Sequence, residues 1–380
     1  MKSLGSYQLP DGRLLRRGYT TGTCAAAAAK AALWMLMHNQ QLKQVMVNTP
    51  AGIPLTLEVL DSRVTSTEAS CAVKKDSGDD PDITHGVLVY AGVEYVTKPG
   101  IMLEGGEGIG KVTKRGLSLP VGASAINPAP REQIKSALQE LLPPDHGVKV
   151  VISIPGGEEL AKKTLNSTLG ILGGLSILGS SGIVEPMSEE SFKESLSLQI
   201  PVALEEGSPI LVLTPGRRGW RQAVENLGFP RAQVLQMSNF VGYMLLTCTR
   251  FEVQEVLLCG SIGKLVKVAG GIFDTHSKTA DGRREIMAAY AALEGASQET
   301  LTDIMEGVTA EGAAEILIDK GMKKVFNRLA EKASSRSQAY VKDKLKVGTI
   351  LMNYEGEILG MDQNALEIGG NLGCQLTYLS

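Results

Sequence analysis

Val148-Lys149-Val150-Val151-Ile152-Ser153-Ile154-Pro155-Gly156-Gly157 is a run of β-branched and aliphatic residues halted by a Pro-Gly-Gly turn. An apolar run of this length between turn signals reads as a strand buried on both faces, the kind that fills parallel sheets. Three later runs repeat the pattern: 175–178 before Gly179, 210–214 before Pro215-Gly216, and 256–259 before Gly260. Helical stretches at 189–198, 218–226 and 239–249 separate them. Strands alternating with helices predict a parallel α/β region over 145–295. Such sheets bind ligands at the carboxyl ends of their strands, where Gly156, Gly157, Gly216, Gly260 and Gly263 fall.

Upstream, Pro143-Pro144 reads as a domain junction. The 1–144 region shows short strand signals at 44–47, 54–60, 70–73, 86–89 and 94–97, with helices near 23–37 and 131–142. Strands in a group with helices on one side predict an α+β domain. Residues 296–380 read as helices and a closing strand pair, 349–352 and 357–361, that can pack on either region.

The 380-residue chain carries a net charge of only −3 and no basic stripe, which argues against nucleic acid as a partner. No apolar run approaches the roughly 18 residues of a membrane span, and the polar stretch 1–17 lacks the core of a signal peptide. Five cysteines without a C-x-x-C pair suit a reducing cytoplasm rather than a disulfide or zinc framework. The sequence sets no oligomeric state and admits a homo-oligomer.

Several segments carry chemistry. Arg17-Gly18-Tyr19-Thr20-Thr21-Gly22-Thr23-Cys24 feeds an alanine-rich helix. Backbone N–H groups and threonine hydroxyls at a helix start suit a carboxylate or phosphate; the competing reading is a capped, tightly packed core helix. Gly105-Gly106-Glu107-Gly108-Ile109-Gly110-Lys111-Val112 approaches the phosphate-loop pattern but lacks its final hydroxyl, because Val112 stands there. The acidic loop 76–82, followed by His85, is a solvated turn or a binding loop; Pro81 and the absence of a closing glutamate exclude a calcium loop, and no metal site is expected. Residues 260–283 gather Lys264, Lys267, Asp274, His276, Asp281 and Arg283 in glycine-bounded turns, where a histidine beside acids suits proton transfer.

The ordered set of these motifs resembles the cobalt-precorrin-5B C1-methyltransferase family, the CbiD family of anaerobic cobalamin synthesis. It runs from residues 17–25 through Lys75-Asp76-Ser77-Gly78-Asp79-Asp80-Pro81-Asp82, the 105–110 loop, Gly116-Leu117, Ile126-Asn127-Pro128 and 179–186. It ends with Gly263-Lys264, Thr275-His276-Ser277 and Asp281. The resemblance implies a first domain like ribosomal protein S5 domain 2 and a second, Rossmann-like α/β domain. It also implies transfer of a methyl group from S-adenosylmethionine to C1 of cobalt-precorrin-5B, giving cobalt-precorrin-6A. The donor's adenosine end is then expected near Gly156, Gly157, Gly216, Gly260 and Gly263. A flat ring rimmed by carboxylates needs cations and N–H donors, for which Arg17, Lys74, Arg115, Lys264, Arg283 and the Thr20, Thr21, Gly22, Thr23 turn are the candidates. His276 is the expected base, with Asp274 and Asp80 behind it. Two other classes stay open on residues alone: a small-molecule kinase using the 105–111 loop, and a non-catalytic tetrapyrrole carrier.

Overall fold

The computed structural model describes residues 4–9, 12–207, 209–307 and 309–377, and the chain forms two compact units, Met1–Glu189 and Glu190–Ser380.

The first unit is built around α1 (Thr21–His38), whose run of alanines and long aliphatic residues carries strong helix propensity. Residues Cys24 to Ala29, Ala31, Ala32, Leu33 and Met35 are fully buried, so this helix has almost no solvent face. It packs against α2 (Pro128–Gln139) and against a five-stranded sheet of β1 (Leu60–Val64), β2 (Glu68–Lys74), β3 (Leu88–Val96), β4 (Gly100–Gly105) and β5 (Gly147–Ser153). The strand order is β1-β2-β3-β5-β4, antiparallel except where β5 runs parallel to β4. Alanine on α1 lets its backbone come close to both neighbours. Each fully buried Leu or Met among them contributes about 1.5–3 kcal/mol.

The strand expected to open the α/β region is therefore β5, a member of the first unit's mixed sheet. Val148, Val150 and Ile152 face the helices, while Lys149 lies on the other face, 3.2 Å from Glu104 and 3.9 Å from Glu94. That lysine marks a half-solvated strand, and the Pro-Gly-Gly stop hid it. Residues 175–178 form no strand; they make isolated bridges, Ile109 with Leu175 and Ile126 with Ile177. The compact first unit accordingly extends to Glu189 rather than ending at Pro144.

The second unit carries the parallel sheet: β6 (Ile210–Thr214), β7 (Val234–Gln236), β8 (Glu255–Ser261), β9 (Lys346–Met352) and β10 (Ile358–Met361). Its order is β7-β6-β8-β9-β10, with only β10 antiparallel. The closing strand pair thus joins this sheet. Val212, Leu257, Cys259, Ile350 and Met352 face one apolar layer with α8 (Gln363–Asn371); α5 (Ile262–Ala269) and α7 (Lys324–Tyr340) also pack on the sheet. Three more helical elements bear on the site: α3 (Arg217–Arg221), α4 (Val241–Arg250) and α6 (Ala310–Asp319).

Candidate functional site

The threonine turn of the first unit is closed by the chain itself. Thr20 caps α1, its Oγ1 accepting from the Thr23 N–H at 3.2 Å. The Gly22 N–H donates to the Leu178 carbonyl, the Leu178 N–H donates to Thr21 Oγ1 at 2.9 Å, and Thr23 Oγ1 donates to the Gly182 carbonyl at 2.9 Å. All four residues are buried. Hydroxyls and N–H groups expected to hold a substrate carboxylate instead dock the 178–182 loop, so the capped core helix is the observed arrangement.

The acidic loop is likewise tied down. Arg16 forms a bidentate pair with Asp76, and its backbone N–H donates to Asp79 at 2.6 Å. Lys75, nearly fully buried, donates to Asp82 at 2.6 Å and to Ser77. Burial pushes the Asp82 carboxyl up, but the Lys75 ammonium and the Thr84 donors outweigh it and hold it below the usual carboxylate range. Asp80 accepts from the Met187 N–H at 2.8 Å, and Arg17 reaches Glu185 at 3.1 Å. Lys74 lies beside them, its carbonyl accepting from the Tyr19 hydroxyl, and its ammonium forms no ion pair with the described residues. Arg115 is exposed in a separate segment, also without an ion pair among the described residues.

The 105–110 loop is packed with backbone rather than open to a phosphate. A Cβ at Gly108, where φ is +70°, would drive into the Ile154 carbonyl oxygen. Gly106 N–H donates to Ile152, Gly110 N–H to Leu175, and the Gly108 carbonyl accepts from Leu175. These bonds, with Val112, remove the phosphate-loop reading. Gly157 belongs to the same crossing, whereas Gly156, at φ +76°, has free space where a Cβ would stand.

In the second unit the sheet order reverses between β6 and β8, since the connection from β6 leads outward to β7 and the chain then returns to β8 on the other side. Such a switch point leaves a crevice at the carboxyl ends of the two strands. Gly216 stands there with φ +105° and ψ −175°, a backbone region essentially reserved for glycine, and a Cβ on it would meet no described atom within 4 Å. Gly260 is small for a different reason: a Cβ would come 2.5 Å from Pro215 Cδ. Gly263 and Lys264 open α5, whose N-cap Ser261 makes no side-chain cap bond.

Beyond β7, Asn239 donates to Asp274 at 2.7 Å and the His276 N–H donates to the same carboxylate at 3.0 Å. Burial pushes Asp274 up, but these donors hold it below the usual range. His276 Nδ1 accepts from the Lys278 N–H at 3.1 Å. With Nδ1 taken as an acceptor, Nε2 is the ring nitrogen left to donate. Arg283 is held bidentately by Asp281, at 2.7 and 2.6 Å. Lys267, gathered with these residues in the sequence, is buried, and its ammonium donates to the Thr275 and Ala280 carbonyls and shapes this loop. Burial pushes the thiols of Cys24, Cys71, Cys248 and Cys259 up to about 12, which removes them as nucleophiles at neutral pH. Among the described residues no cluster of three metal-ligating side chains occurs, and no helix is long and apolar enough to cross a membrane.

These features define a mixed α/β protein with an α+β unit closed around its polar turns and a parallel-sheet unit open at its carboxyl edge. The family profile described as CbiD matches residues 9–186, and that described as CbiD, C-terminal domain, matches residues 274–363. A cobalt-precorrin-5B C(1)-methyltransferase of Moorella thermoacetica is 50% identical over 360 residues, spanning 94% of this chain and 98% of its own. One from Desulfitobacterium hafniense is 48% identical, spanning 93% of this chain and 92% of its own. A crystal structure of cobalamin biosynthesis protein (cbiD) from Archaeoglobus fulgidus is 31% identical, covers 74% of this chain and 88% of that one, and superposes with a TM-score of 0.39. The chain belongs to the CbiD family.

Proposed function

We propose that this chain transfers the methyl group of S-adenosylmethionine to C1 of cobalt-precorrin-5B, giving cobalt-precorrin-6A, as a cytoplasmic enzyme. The observation that carries the reading is agreement along 94% of the chain with a relative named for that reaction. The cobalt belongs to the substrate. The second unit is read as Rossmann-like, on its reversed parallel strand order, and the first as S5 domain 2-like, on helices packed on one side of a mixed sheet.

The donor fits the carboxyl edge of β6 and β8. Gly216 supplies a backbone conformation that a side chain would strain and a space that no described atom fills, the form of a cradle for a ligand. Gly260 and Gly263 complete the edge. When bound, the donor supplies an electrophilic methyl group. The protein's part is alignment and exclusion of water, and alignment alone is worth roughly 7–11 kcal/mol in well-oriented systems. At the second unit's edge Lys264 has no ion pair to displace among the described residues, so it is placed on the substrate's carboxylates ahead of Arg283. His276 serves as a donor through Nε2, which leaves Asp274, held below the usual carboxylate range, as the group of this edge that accepts the departing proton.

Incubating the purified chain with S-adenosylmethionine and cobalt-precorrin-5B should yield one S-adenosylhomocysteine per corrinoid methylated at C1, read by mass spectrometry and NMR. Corrinoid binding with no consumption of S-adenosylmethionine would instead establish the carrier reading.

A further inference from the structure

Lys267 stands in the last turn of α5, a helix that begins at the carboxyl end of β8 and runs away from it. Its side chain is buried, and long helical side chains point back toward the helix N-terminus. The ammonium donates to two main-chain carbonyls of one loop, Ala280 at 2.7 Å and Thr275 at 3.2 Å, and forms no ion pair with a described residue. Lysines are almost never fully buried unless paired, and here the pairing is with main chain alone. The Thr275 carbonyl belongs to the same peptide group as the His276 N–H. A peptide group is a rigid plane whose C=O and N–H point in opposite directions. Lys267 holds the C=O on one side, and on the other the N–H donates to Asp274 Oδ1 at 3.0 Å. The Asn239 amide donates to the same oxygen at 2.7 Å, and the Thr275 N–H donates to the Asn239 carbonyl. Asn239 lies three residues past β7, and the Met237 N–H donates to the Thr214 carbonyl at the end of β6. Hydrogen bonds thus tie Asp274 to the carboxyl edge of the sheet, with Lys267 holding the same loop from α5.

We propose that Lys267 is a positioning residue for methyl transfer, which through the 275–276 peptide group fixes the Asp274 carboxylate as the acceptor of the departing proton. This rests on the reading of Asp274 as that acceptor. A cation on the carbonyl polarises the peptide group, and hydrogen bonds in a chain strengthen one another by roughly 10–30% per bond. The His276 N–H therefore donates more strongly to Asp274 than an unpolarised amide does. The Thr275 carbonyl has no other donor among the described residues. Without Lys267 the peptide group is free to turn, and a turned group takes its N–H away from Asp274.

Steady-state kinetics of the full chain with S-adenosylmethionine and cobalt-precorrin-5B, run from neutral pH into the acid range, test this in Lys267→Met. Its kcat should fall about tenfold, the worth of one hydrogen bond, with KM for both substrates unchanged. The acid limb of the kcat profile, where the acceptor becomes protonated, should move to higher pH, because the carboxylate has lost its polarised donor. His276, Asp281, Arg283 and Lys264 are the other charged or titratable groups about this pair, and the variant leaves them in place. Lys267→Gln, which keeps a donor and loses the charge, should move the limb the same way and serves where the methionine variant is insoluble. A lowered melting temperature with the acid limb in its wild-type place would make Lys267 a structural residue only and overturn the proposal, as would wild-type kcat in either variant. Asp274→Asn separates the two claims. Wild-type turnover there would overturn the acceptor reading and the role of Lys267 with it. Abolished turnover there, beside an unmoved limb in Lys267→Met, would leave the acceptor standing and remove Lys267 alone.

Discussion

Gly108 and Gly216 both follow strands, both have positive φ, and both sit in segments that sequence reading marked for ligands. Around Gly108 the missing side chain is replaced by the chain's own Ile154 carbonyl and by the Gly157 backbone. Around Gly216 no described atom replaces it. The first glycine is needed for the packing of the chain against itself, and the second for its backbone conformation alone. The same contrast holds for the polar groups. The first unit spends its threonines and the acidic loop on its own cross-links, while the second leaves Gly216 and Ser261 at one edge.

The largest effect should come from filling the closed glycine. Gly108→Ala forces a Cβ onto a carbonyl oxygen in a backbone crossing that cannot yield, so a cost above about 4 kcal/mol or loss of soluble protein is expected. Gly216→Ala meets only the conformational strain, roughly 1–3 kcal/mol. Urea denaturation followed by circular dichroism compares them, and equal costs would dissolve the distinction between the two sites.

Buried and exposed ion pairs extend the contrast. Lys75→Met strands the Asp82 carboxylate, and losing one partner of a buried pair costs about 3–5 kcal/mol. Arg283→Met breaks an exposed pair, in which the Arg283 side chain holds the Asp281 carboxyl down to about 2, and surface pairs are worth about 0–1 kcal/mol. The pH dependence has a definite sign. Asp82 is depressed in the folded chain, so its contribution is present above the unfolded carboxylate range and is lost as pH falls through the lower folded value. In Lys75→Met the stranded carboxylate is relieved by protonation. The stability gap between wild type and Lys75→Met should therefore be widest near neutrality and narrow on acidification; a gap that widens in acid would show that Asp82 is not the group left unpaired.

Long elements with a strong pattern were legible in the sequence. Helix α1 appears from its alanines, though it starts at Thr21 behind a Thr20 cap rather than near residue 23, and β6 and β8 appear from apolar runs closed by glycine. Strand partners were not, because an apolar run reports burial and not which neighbour provides it; β5 looked like the parallel strands although it pairs with β3 and β4. Strand β7 has three residues, too short for any period to show. The site was half legible for a related reason. A glycine at a strand end looks the same whether the filling atom is 46 residues away, as Ile154 is from Gly108, or absent, as at Gly216.

The smallest effects come from the two helix starts. Thr20 Oγ1 caps α1, so Thr20→Ala should cost about 0.5–2 kcal/mol. Ser261 stands at the N-cap of α5 without a cap bond, so Ser261→Ala should cost less than about 0.5 kcal/mol, the range for substitutions away from such features. What distinguishes Ser261 is its place at the carboxyl end of β8, with its hydroxyl uncommitted at the edge assigned to the donor. Ser261→Ala should therefore weaken S-adenosylhomocysteine a few-fold while leaving the melting temperature in place. Thermal melting and calorimetry on the same two variants decide it: a destabilised Ser261→Ala with unchanged affinity would make that hydroxyl one more internal cross-link, and the second unit's edge would be closed like the first unit's turns.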